Sequence, residues 1–276
     1  MLCSMWQVAA NLGCGRGYVS RHIEPDCVER LALCDSSPSW LEQAAAPEGV
    51  LVERHVIDEE GLLPFPPASL DLVLSSLTLH WVNDLPGMLA RIHDCLRNDG
   101  ALLASLFGGD SLYELRSSLQ LANLERRGGV AAHISPFTEI RDVGALLTRA
   151  GFTMLTIDTD EVVINYPSAL ELLWDLKGMG ESNAARNRTL HLGRERLVAT
   201  AAIYDALYGR EVEGRRAVPA TFHVIYLVGW KPDASQPHPL PRGSGQVSLK
   251  DLYRLDQVIR DSKKVPLESP DEHGKD

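Results

Sequence analysis

Along its first half the chain alternates short apolar runs with amphipathic stretches. Residues 7–12 read as a buried first strand that ends in glycines, and residues 18–23 as the start of a helix. Residues 28–34 form a second apolar run ending at Asp35, and Pro38 is placed to open a helix through Ala45. Residues 50–57 make a third strand ending at Asp58. Residues 70–74, introduced by the turn-rich Pro64-Phe65-Pro66-Pro67, make a fourth. Leu85, Leu89, Ile92 and Leu96 then recur at helical spacing as one apolar face that stops near Asn98-Asp99-Gly100, and residues 101–107 supply a fifth strand. Strands alternating with helices at this spacing predict a doubly wound α/β fold, with a parallel sheet covered on both faces.

The rhythm loosens after Gly108-Gly109. Residues 112–124 and 140–150 read as helices, and 152–164 as a strand interrupted around Asp158. A helical stretch at 169–176, a Gly/Asn-rich loop at 178–187 and a helix at 194–208 precede a last strand at 220–230. The expected organisation is one domain over residues 1–232, with insertions at about 108–151 and 167–219 as candidates for a substrate-binding cap. Residues 233–276 are rich in Pro, Ser, Lys and Asp and read as a polar tail.

Composition narrows the classes. Of 276 residues, 45% are apolar and 23% charged, enough for a substantial core. A formal charge of -10 argues against a general electrostatic grip on nucleic acid or anionic lipid. No run approaches the roughly 18 to 20 apolar residues of a membrane span. Cys3, Cys14, Cys27, Cys34 and Cys95 are odd in number and scattered, which predicts neither a disulfide framework nor a zinc site. The glycines stand so near the first residue that no presequence, signal peptide or leading helix is expected ahead of the first strand.

The chemistry concentrates in Asn11-Leu12-Gly13-Cys14-Gly15-Arg16-Gly17. A strand that ends in G-x-G-x-G and turns into a loop lets backbone approach a ligand closely, because glycine has no side chain to obstruct it and tolerates unusual dihedrals. The dinucleotide pattern G-x-G-x-x-G is not met, since Tyr18 stands where it calls for glycine, so NAD is the weaker cofactor expectation. Asp35, at the end of the second strand, is placed to accept hydrogen bonds from both hydroxyls of an adenosine ribose. Asp58, at the end of the third, is placed to hold an adenine amino group.

These features resemble motifs I, II and III of the class I S-adenosylmethionine-dependent methyltransferases over about residues 7–230. That resemblance implies a Rossmann-like, mostly parallel seven-stranded sheet with helical insertions, and S-adenosylmethionine as cofactor. Its expected cofactor-binding residues are Asn11, Gly13, Cys14, Gly15, Gly17, Asp35, Asp58 and Ser76. A narrower similarity rests on five segments: Leu62-Leu63-Pro64-Phe65, residues 75–86 around Leu79-His80-Trp81, residues 107–116 beginning Phe107-Gly108-Gly109-Asp110, residues 133–138, and Met179-Gly180-Glu181-Ser182-Asn183. Together they resemble the family of mitochondrial arginine hydroxylases that assist complex I assembly, whose bacterial relatives are the malonyl-carrier-protein methyltransferases of biotin synthesis.

The family resemblance implies a mitochondrial matrix protein, peripheral to the inner membrane, that hydroxylates an arginine of a complex I iron-sulfur subunit and meets other assembly factors. A non-catalytic assembly module that has lost turnover, and a malonyl-carrier-protein methyltransferase, are the alternatives. The family places an aspartate two residues before the first glycine, whereas this chain has Asn11.

Methyl transfer from a sulfonium asks mainly for positioning, and His80, just after the fourth strand, is the candidate base or orienting group. Hydroxylation ordinarily calls for a metal or flavin. His22-Ile23-Glu24 has the spacing of an iron triad, but on a helix residues two apart face different ways, so no metal is expected there. Trp81, Asp110, Tyr113 and Glu114, with Arg116 nearby, and Glu181 and Asn183 in the later loop are the candidate substrate residues. Their carboxylates suit a guanidinium.

Overall fold

The computed structural model describes residues 6–129, 133–134, 137–182 and 191–237. Residues 1–234 form one compact unit, and a second unit spans 235–276. The chain builds β1 (Trp6–Leu12), β2 (Val28–Asp35), α1 (Pro38–Gln43), β3 (Leu51–Val56), β4 (Leu70–Ser76), α2 (Leu85–Cys95) and β5 (Leu96–Phe107). Then follow α3 (Tyr113–Arg127), α4 (Ile140–Ala150), β6 (Thr153–Tyr166), α5 (Ala169–Met179), α6 (Arg194–Tyr208), β7 (Arg210–Val212) and β8 (Arg215–Trp230).

The strands lie in the order β3-β2-β1-β4-β5-β8-β6, with β7 paired to β8 alone. β1 runs parallel to both β2 and β4, and β5 continues the parallel set. β8 runs antiparallel to β5, β6 and β7. Alternate residues of the same strands supply two different clusters. Ala9, Leu31, Leu33, Leu72 and Ala101 pack with Leu41 and Ala44 around α1, whereas Ala10, Ala32, Cys34, Val73 and Leu102 pack with Met88, Leu89 and Ile92 of α2 and with Leu147 of α4. A strand's side chains alternate between faces, so this division is the signature of a sheet buried on both sides. A third cluster packs α3, α5 and α6 against Val218, Ala220, Phe222 and Val224 of β8.

The order β3-β2-β1-β4 places a topological switch between β1 and β4. Chains leave those two strands toward opposite sides and open a crevice at their carboxyl ends. Asn11 and Leu12 end β1 there, and Ser75 and Ser76 end β4.

Four local expectations are corrected. Residues 18–23 form only one 3-10 turn, Ser20–His22, because Tyr18 and Val19 stay exposed with no face to bury and Pro25 disfavours helix at Glu24. The strand irregularity falls between Thr153 and Thr156, where Met154 has φ 50°, while Asp158 pairs in register with Tyr226. β5 starts at Leu96, directly after α2. The last strand starts at Arg215 because Glu213 and Gly214, both at positive φ, close a two-residue hairpin with β7.

Candidate functional site

The crevice holds a cavity of about 570 Å³, within the range of about 300–1,000 Å³ usual for small-molecule sites. Its floor is the glycine loop. Gly13 has φ +65°, and a Cβ built there would lie 2.1 Å from Thr78 Oγ1, so the first position admits no side chain. Thr78 Oγ1 in turn lies 3.2 Å from both the Gly13 and Ser76 carbonyl oxygens, tying the loop after β4 to the loop after β1. Gly17 does a different task. Its missing Cβ makes room for the backbone of Ala45, 2.4 Å from where that atom would sit, and Ala45 N–H donates to Arg16 C=O at 2.9 Å. Gly17 therefore supports the loop from behind and does not line the cavity.

Asp35, buried at the end of β2, accepts from Gly15 N–H at 2.7 Å and from Ser37 N–H at 2.9 Å, one bond to each carboxylate oxygen. A carboxylate oxygen accepts more than one hydrogen bond, so Asp35 keeps capacity toward the cavity it lines. Asn11 and Ser76 also line it, and Ser76 Oγ lies 3.2 Å from Ser105 Oγ. Cys14 lines it through a buried thiol that burial and the Asp35 charge push up to about 12, which keeps the sulfur protonated and unreactive.

Asp58 is not at the cavity. Its Oδ1 accepts from Glu60 N–H at 3.0 Å and its C=O from Gly61 N–H, so the side chain is folded into its own exposed turn. The acids that line the cavity from this turn are Glu59 and Glu60. Burial, with Asp35 and Asp58 nearby, raises the Glu59 carboxyl above the ordinary range, and Glu60 takes hydrogen bonds from both nitrogens of Asn83. Trp40 and Tyr18 add aromatic surface, with the Arg16 guanidinium 5.8 Å from the Trp40 ring centroid. None of Glu59, Trp40, Tyr18 and Thr78 was singled out as a site residue from the sequence. Only Thr78 carried a signal, as part of the 75–86 segment.

Trp81 lines the opposite wall, but His80 does not. The His80 side chain, 2% exposed, points between Phe107 and Phe137, with ring centroids 5.0 and 5.7 Å away. Glu181, from the segment after α5, accepts from His80 Nε2 at 2.7 Å and from Trp81 Nε1 at 3.0 Å. Just ahead of it, Gly178, Met179 and Gly180 line the cavity. Asn183 lies outside the described residues.

The remaining substrate candidates are elsewhere. Asp110 and Tyr113 line a separate cavity of about 380 Å³ with Glu161 and His223. Glu114, 1% exposed, is a core carboxylate that accepts from Thr221 N–H and Thr221 Oγ1, holding α3 against β8. It opens the helix on the sheet-facing side, so its hydrogen bonds serve packing. Arg116 donates to the Gly109 and Ser111 carbonyls and braces the loop after β5.

The strand order, the glycine loop at the switch point and the acid closing β2 define a protein of the class I methyltransferase fold. Residues 10–104 match the methyltransferase domain family. The chain is 50% identical over 254 residues to the mitochondrial arginine-hydroxylase NDUFAF5 of Danio rerio, covering 92% of this chain and 78% of that protein. It is 46% identical to the Homo sapiens protein of the same name, covering 93% and 73%. A malonyl-[acyl-carrier protein] O-methyltransferase of Methylovorus sp. is 30% identical over 88% of this chain and 81% of its own. The chain belongs to the family of mitochondrial arginine hydroxylases within the methyltransferase superfamily. Among solved structures, the YcgJ protein of Bacillus subtilis shares the fold at 15% identity, with a TM-score of 0.56 over 83% of this chain and 93% of that one.

Proposed function

We propose that this protein binds S-adenosylmethionine in the crevice between β1 and β4 and acts in the mitochondrial matrix as an arginine-modifying enzyme of complex I assembly, with an iron-sulfur subunit of that complex as substrate. The observation that carries the cofactor assignment is the pairing of Gly15 N–H with the Asp35 carboxylate beneath an open glycine loop. A Cβ at Gly15 would meet nothing nearer than Trp40 at 3.7 Å, so the loop backbone is open to a ligand just where an acid waits for ribose hydroxyls. Asp35 would take the ribose, the Gly13–Gly15 backbone and Asn11 the methionine end, and Trp40 and Glu59 would flank the base. When bound, the cofactor supplies a sulfonium, a cation that the acids of this cleft favour.

The relatives' printed activity supports hydroxylation as the reaction. Converting a C–H of arginine to C–OH with dioxygen requires a two-electron reductant, the second oxygen atom leaving as water. Among the described residues no helix is long and apolar enough to cross a membrane.

Titration calorimetry with S-adenosylmethionine, comparing the wild type with Asp35→Ala, tests the cofactor assignment. Saturable binding by the wild type that is weakened at least about tenfold by the variant is expected, since a bidentate charge-assisted contact is worth that much or more. Absence of binding by the wild type would defeat it. Mass spectrometry of the complex I iron-sulfur subunit, with and without the protein, tests the reaction. An added oxygen mass on an arginine is expected, and a labelled methyl on a malonyl thioester with no change at arginine would favour the carrier-protein alternative.

A further inference from the structure

The two walls of the crevice come from distant parts of the chain. One is the 3-10 turn Leu79–Trp81 after β4, whose Trp81 ring faces the cavity. The other is the end of α5, where Gly178, Met179 and Gly180 face the same cavity from the insertion that follows β6. A single atom joins them. Glu181 Oε1 accepts from His80 Nε2 at 2.7 Å and from Trp81 Nε1 at 3.0 Å, and the His80 and Glu181 side chains are 2% and 6% exposed.

The direction of Glu181 is fixed by how α5 ends. Gly180 takes φ +84°, its N–H donates to Lys177 C=O, and Glu181 N–H reaches back to Leu176 C=O at 2.8 Å. This glycine-capped end turns the next side chain under the helix instead of out to solvent. A buried carboxylate is tolerated only when donors satisfy it, and here both donors belong to the opposite wall. His80, giving its Nε2 proton to Glu181, leaves Nδ1 buried with no partner. That nitrogen is shut away from the cavity by the rings around it, so His80 is built into the joint and does not face the ligand.

From this geometry we infer that Glu181 is a positioning residue: a clasp that locks the α5 end onto Trp81 and so couples ligand binding in the crevice to the placement of Gly178–Gly180 along its wall. The carboxylate never touches the ligand. It sets the orientation of the Trp81 indole through the indole N–H, and sets the placement of Gly178–Gly180 through its own backbone. Releasing it frees both walls together. The inference rests on the reading of the crevice as a cofactor site for its affinity consequence, but not for its structural one.

The test compares the wild type with Glu181→Ala, Glu181→Gln and Trp81→Phe in the full-length chain, by calorimetric titration with S-adenosylmethionine and by hydrogen–deuterium exchange. Glu181→Ala is expected to weaken binding about tenfold or more and to speed amide exchange in the peptides covering residues 176–182 and 78–83, leaving β2 and β3 unchanged. Glu181→Gln retains the oxygen that both donors use and is expected to stay within about threefold of the wild type, which separates the acceptor oxygen from the negative charge as the group that holds the joint. Trp81→Phe removes one donor and leaves the carboxylate paired with His80. Its exchange should rise in the same two peptides by less, and this variant decides the question if Glu181→Ala does not fold. Wild-type affinity and exchange in Glu181→Ala, or in Trp81→Phe where the alanine variant is lost, would overturn the clasp. A wild type that fails to bind S-adenosylmethionine would defeat the cofactor assignment instead, and the exchange comparison would still decide the clasp.

Discussion

Gly13 and Gly15 are two residues apart in the same loop, both at positive φ, yet the structure assigns them very different tolerances. Alanine at either position pays the left-handed backbone penalty of about 1–2 kcal/mol, partly offset by about 0.4–1 kcal/mol because alanine restricts the unfolded chain. At Gly15 little else is added, since the new methyl group would make ordinary contact with Trp40 at 3.7 Å. At Gly13 the methyl group would lie 2.1 and 2.2 Å from Thr78 Oγ1 and Cγ2 and 2.6 Å from its Cβ. Thr78 must then move, which breaks its contacts with the Gly13 and Ser76 carbonyls at about 1 kcal/mol and forces overpacking at about 1–3 kcal/mol. Urea denaturation should therefore show a loss of about 2–6 kcal/mol for Gly13→Ala and about 1 kcal/mol for Gly15→Ala. Combining Gly13→Ala with Thr78→Gly removes all three clashing atoms and should recover part of the loss, as a non-additive double-mutant cycle. Equal destabilisation by the two alanines, or strict additivity in the double variant, would refute the reasoning.

Two further outcomes follow from the ionisable groups. Cys14 and Cys34, with thiols pushed up to about 12 by burial, should resist iodoacetamide at pH 8 by roughly a thousandfold relative to a free thiol, since about one in ten thousand would be ionised. Native-state alkylation mapped by mass spectrometry should mark the half-buried Cys27 before the buried Cys14 and Cys34, and equal labelling of Cys14 would contradict the assignment. His93 is held below its ordinary value by burial and by the Lys231 ammonium, whose Nζ donates to the His93 and Leu96 carbonyls at the end of α2. Because the unfolded chain protonates first, the contribution of His93 to stability is whole above about pH 6.5 and is lost as pH falls through that value toward the folded pKa. Lys231→Met should raise the pKa measured for His93 by NMR, and an unmoved titration would remove Lys231 as a cause.

The parallel half of the molecule was readable because β1, β2, β4 and β5 are apolar runs buried in the sheet's interior and the turns between them carry glycine or proline. The back half was less so. β8 extends to Arg215 because Arg215–Ala217 pair with β7 and Val218 and Pro219 pair with the end of β6, a tertiary effect that alternation within one strand does not reveal. The glycine loop and Asp35 could be found from spacing, since both are fixed by the ends of strands. Asp58 could not be told from Glu59 in that way. Which of two adjacent acids faces a crevice depends on the turn that follows, and here Asp58 caps it. His80 and Glu181 each drew notice separately, but a hydrogen bond across 101 residues of chain has no local signature.

Asn11 is where the resemblance and the structure can be set against each other. The residue is 2% exposed, ends β1 and lines the crevice with a neutral amide, where the family's motif carries an aspartate. The same crevice already holds Asp35, and Glu59 with its carboxyl raised by burial and by the neighbouring acids. A further carboxylate at position 11 would be desolvated with no cation among the lining residues except Arg16, which leans over Trp40. Asn11→Asp should therefore destabilise the free protein by about 1–3 kcal/mol at neutral pH. Its aspartate would have a folded pKa above the unfolded value, so the extra cost should be absent below about pH 4 and grow as pH rises through the folded pKa. A cationic cofactor reverses the balance, because the sulfonium and ammonium of S-adenosylmethionine supply the missing countercharge. The variant should bind it more tightly than the wild type by about three- to tenfold, with the gain reduced in high salt. Urea unfolding across pH 4–8 and calorimetric titration check the two halves separately. A variant that is both as stable as the wild type and no tighter in binding would mean that position 11 does not face the cofactor's charge at all.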